Sequence, residues 1–338
     1  MTLIDQLVGK YNTISLIGMV KNAGKTTLLN ELIDQAYWEE IVLGLTSIGY
    51  DGEKTDSVTN IPKPTIEVFP GTLVATAQSL LNRENLRYEV LEVTDSITVF
   101  GPIVIVRMRN HAKVELVGPR SNYGIEKVSR IMKDWGAKLI LIDGALDRVS
   151  SASPALADGV FLSTGAALSR DMNQVVNQTL HRINLLKLKK VTNHLSDFKI
   201  LKADNKIGII DDEGQIDLIG LKTGINAGNE LKNHLKSTSK YIFFPGAVTY
   251  RTLKDVVDLT HGKVSVVVSD GSKLFLGRDN YHELLAKGLS VVVLDEINLL
   301  GVSINPYSPK GYYFDSEILK QRLTDKLKNI KVMNVFES

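Results

Sequence analysis

The sequence predicts an α/β fold: a mostly parallel sheet with helices on both faces, and a second α/β region after it. Three observations carry this. Short runs of β-branched and aliphatic residues alternate with stretches of helical spacing along most of the chain, as β-α-β units require. Several runs, such as Lys138–Ile142, are apolar without alternation, the mark of strands buried on both faces. Finally, 338 residues that are 43% hydrophobic supply a full core for about two domains of ~150 residues each. The expected division is 1–190 and 191–338, the latter folding apart or extending the first sheet.

The elements follow in order. Thr13–Ile17 is a short apolar strand, and Lys25–Gln35 has helical spacing through Leu28, Leu29 and Leu32. Ile41–Leu45 is a second strand and leads into a polar loop, Ser47–Lys63. Thr65–Phe69 is strand-like, Thr72–Leu81 helical, and Tyr88–Val93, Ile103–Met108 and Val114–Val117 strand-like. Ile125–Trp135 is helical; Lys138–Ile142 and Val160–Leu162 are strands. Ser169 is the expected N-cap of a long helix through Val176, Leu180 and Ile183, whose last turn would place Lys187, Lys189 and Lys190 at the negative end of its dipole.

Farther on, Asp211-Asp212-Glu213-Gly214 separates Ile207–Ile210 from Gln215–Ile219, a hairpin signal. Tyr241–Phe244, Val264–Val268 and Val291–Leu294 read as buried strands. Val248–Leu259, Tyr281–Lys287 and Glu317–Leu327 read as helices.

Composition narrows the function classes. Forty Lys plus Arg against 38 Asp plus Glu leave a net charge of +2, so no nucleic-acid footprint is expected. The absence of cysteine excludes disulfides, cysteine-zinc sites and thiol catalysis, and the six histidines lack metal-ligand spacing. No signal-peptide layout and no membrane-length apolar run is seen, so a cytoplasmic location is expected.

The strongest motif is Gly18-Met19-Val20-Lys21-Asn22-Ala23-Gly24-Lys25-Thr26, a complete G-x-x-x-x-G-K-[ST] between an expected strand and an expected helix. Gly18 and Gly24 let the backbone fold around an anion, and amides near Asn22–Thr26 would point inward at a helix N-terminus. Lys25 would contact the outer phosphates, the Thr26 hydroxyl would ligate Mg²⁺, and Thr27 would reach the α-phosphate. Lys21 is either an exposed loop-tip residue or a lysine acting in trans across a homodimer.

Such a loop needs a carboxylate at a neighbouring strand end. Asp143, closing Leu139-Ile140-Leu141-Ile142, is the favoured residue; Asp295, after Val291-Val292-Val293-Leu294, is the rival and Asp270 a third. Asp51, in the loop after the second strand, is the candidate for orienting water. Arg107, Arg109 and Arg120 would clamp an anion or simply alternate on a strand. Asn305-Pro306-Tyr307-Ser308-Pro309-Lys310-Gly311-Tyr312-Tyr313 would close over a base or a partner, or form a rigid surface loop. The nearest guanine signature, Asn205-Lys206-Ile207-Gly208, lacks its Asp, which favours ATP over GTP.

Gly18–Thr27, the Thr46–Glu53 loop and Asp143-Gly144-Ala145 together resemble the P-loop NTPase branch that includes dethiobiotin synthetase and the MobB-type molybdopterin accessory proteins. Thr46-Ser47-Ile48-Gly49 with Asp51-Gly52-Glu53, Pro70-Gly71-Thr72-Leu73 with Ala75-Thr76-Ala77, and Asn305-Pro306 with Ser308-Pro309 and Gly311 are similar to the small P-loop subunit of the lysine 5,6-aminomutase reactivase. That resemblance implies a chaperone of a cobalamin- and pyridoxal-phosphate-dependent aminomutase, working beside a MutS-like ATPase partner. The cobalamin motif D-x-H-x-x-G is absent here.

Three functions stand at this point. One is a slow ATPase acting as a nucleotide-driven switch, with Lys25, Thr26 and Asp143 holding Mg-ATP. Another is a small-molecule kinase or ATP-dependent synthetase, with the three arginines in its acceptor site. The last is a scaffold that binds nucleotide without cutting it.

Overall fold

A computed structural model describes residues 1–49, 65–82, 85–144, 152–220 and 228–334. Among these the chain divides into two compact units, Met1–Leu180 with Asn298–Ser338, and His181–Ile297. The sequence suggested one boundary at 190/191; along the chain the second unit falls between two segments of the first, which resumes at Asn298.

The first unit runs α1 (Leu3–Leu7), β1 (Thr13–Gly18), α2 (Lys25–Trp38), β2 (Leu43–Ser47), β3 (Ile66–Val68), β4 (Leu73–Ala77), β5 (Tyr88–Thr98), β6 (Gly101–Met108), β7 (Ala112–Val114), α3 (Asn122–Asp134), β8 (Leu139–Asp143) and β9 (Gly159–Gly165). The division falls within α4 (Met172–Leu186). The second unit continues with α5 (Leu195–Ala203), β10 (Ile207–Asp211), β11 (Ile216–Ile219), α6 (Gly228–His234), β12 (Ser239–Phe244), β13 (Val248–Thr249), α7 (Tyr250–Thr260), β14 (Ser265–Val268), β15 (Leu274–Phe275), α8 (Arg278–Ala286) and β16 (Ser290–Val293). Then β17 (Leu299–Asn305), α9 (Ser316–Lys326) and β18 (Lys331–Asn334) rejoin the first unit.

The first unit's sheet has nine strands in the order β18-β17-β9-β1-β8-β2-β4-β6-β5. Every neighbouring pair from β18 to β4 is parallel, and β6 and β5 add an antiparallel hairpin at one edge. Strand β1 lies inside it because Ile14 and Leu16 on one face and Ser15 and Ile17 on the other are all buried. Leu28, Leu29, Leu32 and Ile33 of α2 pack with Ile14, Leu16, Leu45 and Leu141. On the opposite face, Ile125, Val128 and Met132 of α3 pack with Ile140, Ile142 and Ile105. Full burial of each such aliphatic side chain contributes roughly 1.5–3 kcal/mol.

The second unit has a five-stranded sheet, β11-β10-β12-β14-β16, parallel from β12 to β16. Its β10–β11 hairpin forms as the turn chemistry requires: Asp211 Oδ1 accepts from Glu213 N and Gln215 N, and Gly214 takes φ +83°. No described helix is long and apolar enough to cross a membrane.

Four sequence expectations change. Thr72–Leu81 is strand β4 followed by a 3-10 turn at Gln78–Leu81. The run Leu73–Ala77 is buried on both faces, a pattern short helices and central strands share. The strand expected at Val114–Val117 is β7, which ends at Val114. The long helix starts after Asp171, whose carboxylate accepts from Asn173 N, while Ser169 Oγ accepts from Asp171 N ahead of the helix. That helix ends at Leu186, so Lys187, Lys189 and Lys190 lie beyond it; Lys190 and Val191 turn onto β16 instead.

Candidate functional site

The site grows from the junction of β1 and α2. Gly18 ends β1, and Met19 N donates to Ser163 O of β9, which starts the chain across the strand ends. Asn22 and Gly24 then adopt left-handed backbone, φ +61° and +97°. Glycine takes that conformation freely, and asparagine more readily than most residues. Gly24 is the N-cap of α2, and no side chain caps the helix; no acidic residue stands in its first turn. The first helical bond, Leu28 N to Gly24 O, leaves the preceding amides without intrahelical acceptors. A fourteen-residue helix thus presents an uncapped, positive N-terminus at the loop the motif marks.

The carboxylate comes from β8. In register, Asp143 stands beside Leu16 of β1 and Ser47 of β2, so its strand end lies between the strand that precedes the glycine-rich turn and β2. Lys25 Nζ lies 2.7 Å from Asp143 Oδ1 and also donates to the Gly144 carbonyl. Both side chains are mostly buried, at 14% and 21% exposure, so the pair is only weakly screened. Gly18 ends β1, Lys21, Asn22, Ala23 and Gly24 lie in the turn, and Lys25, Thr26 and Thr27 open α2.

The other candidates fare differently. Asp295 is in the second unit, with its carboxylate 2.6 Å from Lys202 Nζ. Asp270, also in that unit, accepts from Ser272 N at 2.9 Å and caps the 3-10 turn Gly271–Lys273. The sequence reading allowed all three aspartates to share one cleft; only Asp143 touches the motif's lysine. Asp51 lies outside the described residues, as do Ala145, Asp147 and Arg148. Arg109 pairs with Glu89, Arg107 donates to Trp135 O, and Arg120 is exposed; no clamp connects them.

Ser47–Gly49, at the end of β2, is built to a close tolerance. Ser47 Oγ accepts from Gly118 N at 3.0 Å, and Gly49 exchanges backbone bonds with Gly118 and Pro119. A Cβ on Gly118 would fall 1.6 Å from Ser47 O, so glycine alone permits this approach.

Sequence reasoning missed the role of Asn305. Its Nδ2 donates to Asn22 O at 2.9 Å, and its Cβ lies 3.0 Å from where a Cβ on Gly24 would stand. Beside it, Ser163 of β9 and Ser303 of β17 join hydroxyls at 2.7 Å beneath the loop. A polar residue closing the apolar run of β17 just before Pro306 was the available signal.

The residues present suit a magnesium-bound polyphosphate. The uncapped helix N-terminus and Lys25 offer donors to phosphate oxygens. Thr26 and Asp143 offer one hydroxyl and one carboxylate, enough for a cation that keeps several waters and borrows phosphate ligands. No group of three or more His, Asp or Glu side chains fit for a metal occurs among the described residues. No family model matches the chain, and neither the curated proteins nor the solved structures compared with it give a match.

Proposed function

We propose that this chain binds Mg-ATP at residues 18–27 and works as a nucleotide-driven switch for a partner enzyme. The observation that carries the reading is the Lys25–Asp143 contact at 2.7 Å, which joins the glycine loop's lysine to the carboxylate at the end of the adjacent strand. Phosphate oxygens at the α2 N-terminus would draw Lys25 away from Asp143. The freed carboxylate would then hold water on the cation that Thr26 ligates. Bound magnesium supplies charge neutralisation of the outer phosphates. Asp143 and Ser47 are register partners, so that exchange would take place beside the end of β2. This is the physical route by which a bound γ-phosphate would be felt at Ser47–Gly49.

On the resemblance to the aminomutase reactivase subunit, the partner would be a cobalamin-dependent aminomutase, with a MutS-like ATPase beside it. Hydrolysis by the isolated chain would be slow and would rise with the partner. The scattered arginines give the kinase or synthetase reading no acceptor site among the described residues. The test is calorimetric titration with Mg-ATP and Mg-GTP, with phosphate release followed in the same samples. The expected result is saturable ATP binding with turnover well below ~1 s⁻¹. Binding of neither nucleotide sinks the proposal, and fast turnover by the chain alone sinks the switch.

A further inference from the structure

We propose that the cavity at the C-terminal end of α2 is a docking pocket for a partner protein, which inserts one arginine side chain against the Glu40 carboxylate. The pocket lies apart from residues 18–27 and stands whether or not they bind nucleotide.

The way helices end in this chain singles out Glu40. Ile41 N donates to Ala36 O at 2.8 Å and Glu40 N to Tyr37 O at 3.2 Å, the paired bonds that close a helix through a left-handed residue. Helices α3, α5 and α8 end through the same pair, and there the left-handed residues are Gly136, Asn205 and Gly288. Glycine and asparagine take that conformation most readily. At α2 the residue is Glu40, at φ +55°, without that freedom. Its charge also has the unfavourable sign, because a helix C-terminus attracts cations, and no basic residue stands in the last turn of α2. Glu40 thus opposes the local structure twice, and among the described residues no cation lies within ion-pair distance of it. Residues that break local rules in this way gather at functional sites.

Glu40 lines a cavity of about 240 Å³. Ile33, Ala36 and Leu43, each 1% exposed, form apolar wall, Tyr37 and Pro70 continue it, and Glu40 is the one charged residue of the lining. A cation on an apolar stem matches that composition, methylenes against the wall and the charged head at the carboxylate. Arginine does so best, since its planar fork meets a carboxylate with two parallel hydrogen bonds and interfaces are enriched in it. Two features point to a protein as its bearer. The volume is below the about 300–1,000 Å³ of small-molecule sites and suits a single side chain. Beside it, Trp38 is 74% and Tyr37 40% exposed, their ring centroids 5.4 Å apart, and Tyr37 is held by stacking on Phe69 at 4.4 Å. Fixed, exposed rings beside a pocket are what the chain flanking an anchor residue covers at an interface. Lys25 opens the same helix, so the pocket and the glycine-rich turn stand at opposite ends of α2, about 20 Å apart at 1.5 Å per residue.

The probes are the blocked peptides acetyl-Gly-Arg-Gly-amide and acetyl-Gly-Met-Gly-amide at low salt, with n-butylguanidinium as the free cation. Saturation-transfer NMR reads affinity. Trp38 emission reads the place of binding in a full-length Trp135→Phe parent, where Trp38 is the only tryptophan left. The parent is expected to bind the arginine peptide at least ~10-fold more tightly than the methionine peptide, with a change in emission. Glu40→Gln and Glu40→Gly should abolish that preference, while Glu39→Gln, outside the lining, keeps it. Glu40→Gly should also raise the melting temperature, because glycine suits the left-handed position, so its lost preference cannot come from misfolding. Equal binding of the two peptides, binding of neither, or a preference that survives in Glu40→Gly overturns the proposal. So does tighter binding of n-butylguanidinium than of the arginine peptide, which would make this a site for a small free cation. Mg-ATP titration of Glu40→Gly is expected to match the parent, so failure here and failure of the nucleotide reading are told apart.

Discussion

Strands β8, β14 and β16 each run through apolar residues to an aspartate just at or past the strand end, and the two units use those aspartates differently. In the first unit, Asp143 at the end of β8 meets Lys25 from the glycine loop. In the second, Asp270 is 1% exposed and caps a 3-10 turn, and Asp295 pairs with Lys202 of α5. The local sequences, Leu-Ile-Asp-Gly, Val-Ser-Asp-Gly and Val-Leu-Asp-Glu, hardly differ. The exits of the neighbouring strands do. Beside β8, β1 opens into a loop with two left-handed residues and an uncapped helix; beside β14, β12 opens into Pro245, whose carbonyl accepts from Ser269 Oγ at 3.0 Å. A strand-end carboxylate is chemically ready everywhere in an open α/β sheet. The loop next to it decides whether it becomes a site.

That contrast breaks most visibly at the lysines. Lys25→Ala is expected to weaken ATP binding by about 100-fold, the loss of a charge-assisted contact of roughly 2–3 kcal/mol, whereas Lys202→Ala leaves it unchanged. Equilibrium titration of both variants checks this, and equal effects would dissolve the contrast. Next come the carboxylates. Asp143→Asn should reduce by ~10-fold the gain in ATP affinity that Mg²⁺ gives, read from titrations with Mg²⁺ and with EDTA. Asp295→Asn should leave that gain alone and cost less than about 1 kcal/mol of stability, because its ion pair is one-third exposed.

Asp270→Ala sharpens the comparison through stability. Loss of its cap on Ser272 N should cost on the order of 1 kcal/mol, seen as a lower denaturant midpoint without any change in nucleotide binding. The smallest expected effect is on pH dependence. Burial holds the His181 pKa below the ordinary histidine value, opposed by its hydrogen bond to Leu276 O. The unfolded chain then binds this proton more readily than the folded one. Stability is therefore full above the ordinary value of about 6.5 and falls as pH drops through it toward the lower folded value. His181→Gln should flatten the melting temperature between pH 7 and 5; an unchanged slope would remove His181 as its source.

The strand, glycine-rich turn and helix over residues 13–38 were legible because the motif fixes residue types in one contiguous stretch, Gly18 to Thr27. Asp143 was legible as the end of a buried strand, though choosing it over Asp295 needed the register of β8 against β1. Asn305 was not: its partner Asn22 lies 283 residues away, and no local pattern encodes so distant a hydrogen bond. The same non-locality hid the return of the chain to the first sheet. Strand β17 pairs with β9 across the whole inserted unit, and parallel pairing leaves no turn signature between the partners. Strand β4 was misread for the opposite reason. Leu73–Ala77 is local and buried throughout, and only its neighbours β2 and β6 distinguish a central strand from a helix.

The central claim is that Lys25 and Asp143 mark a magnesium-nucleotide site, and calorimetric titration of ATP into the wild-type chain and Lys25→Ala tests it most directly. The expected result is saturable binding to the wild-type chain that strengthens with Mg²⁺, and a ~100-fold weaker response from a variant with the same melting temperature. An absent response from the wild-type chain, or equal binding by both, would contradict the account.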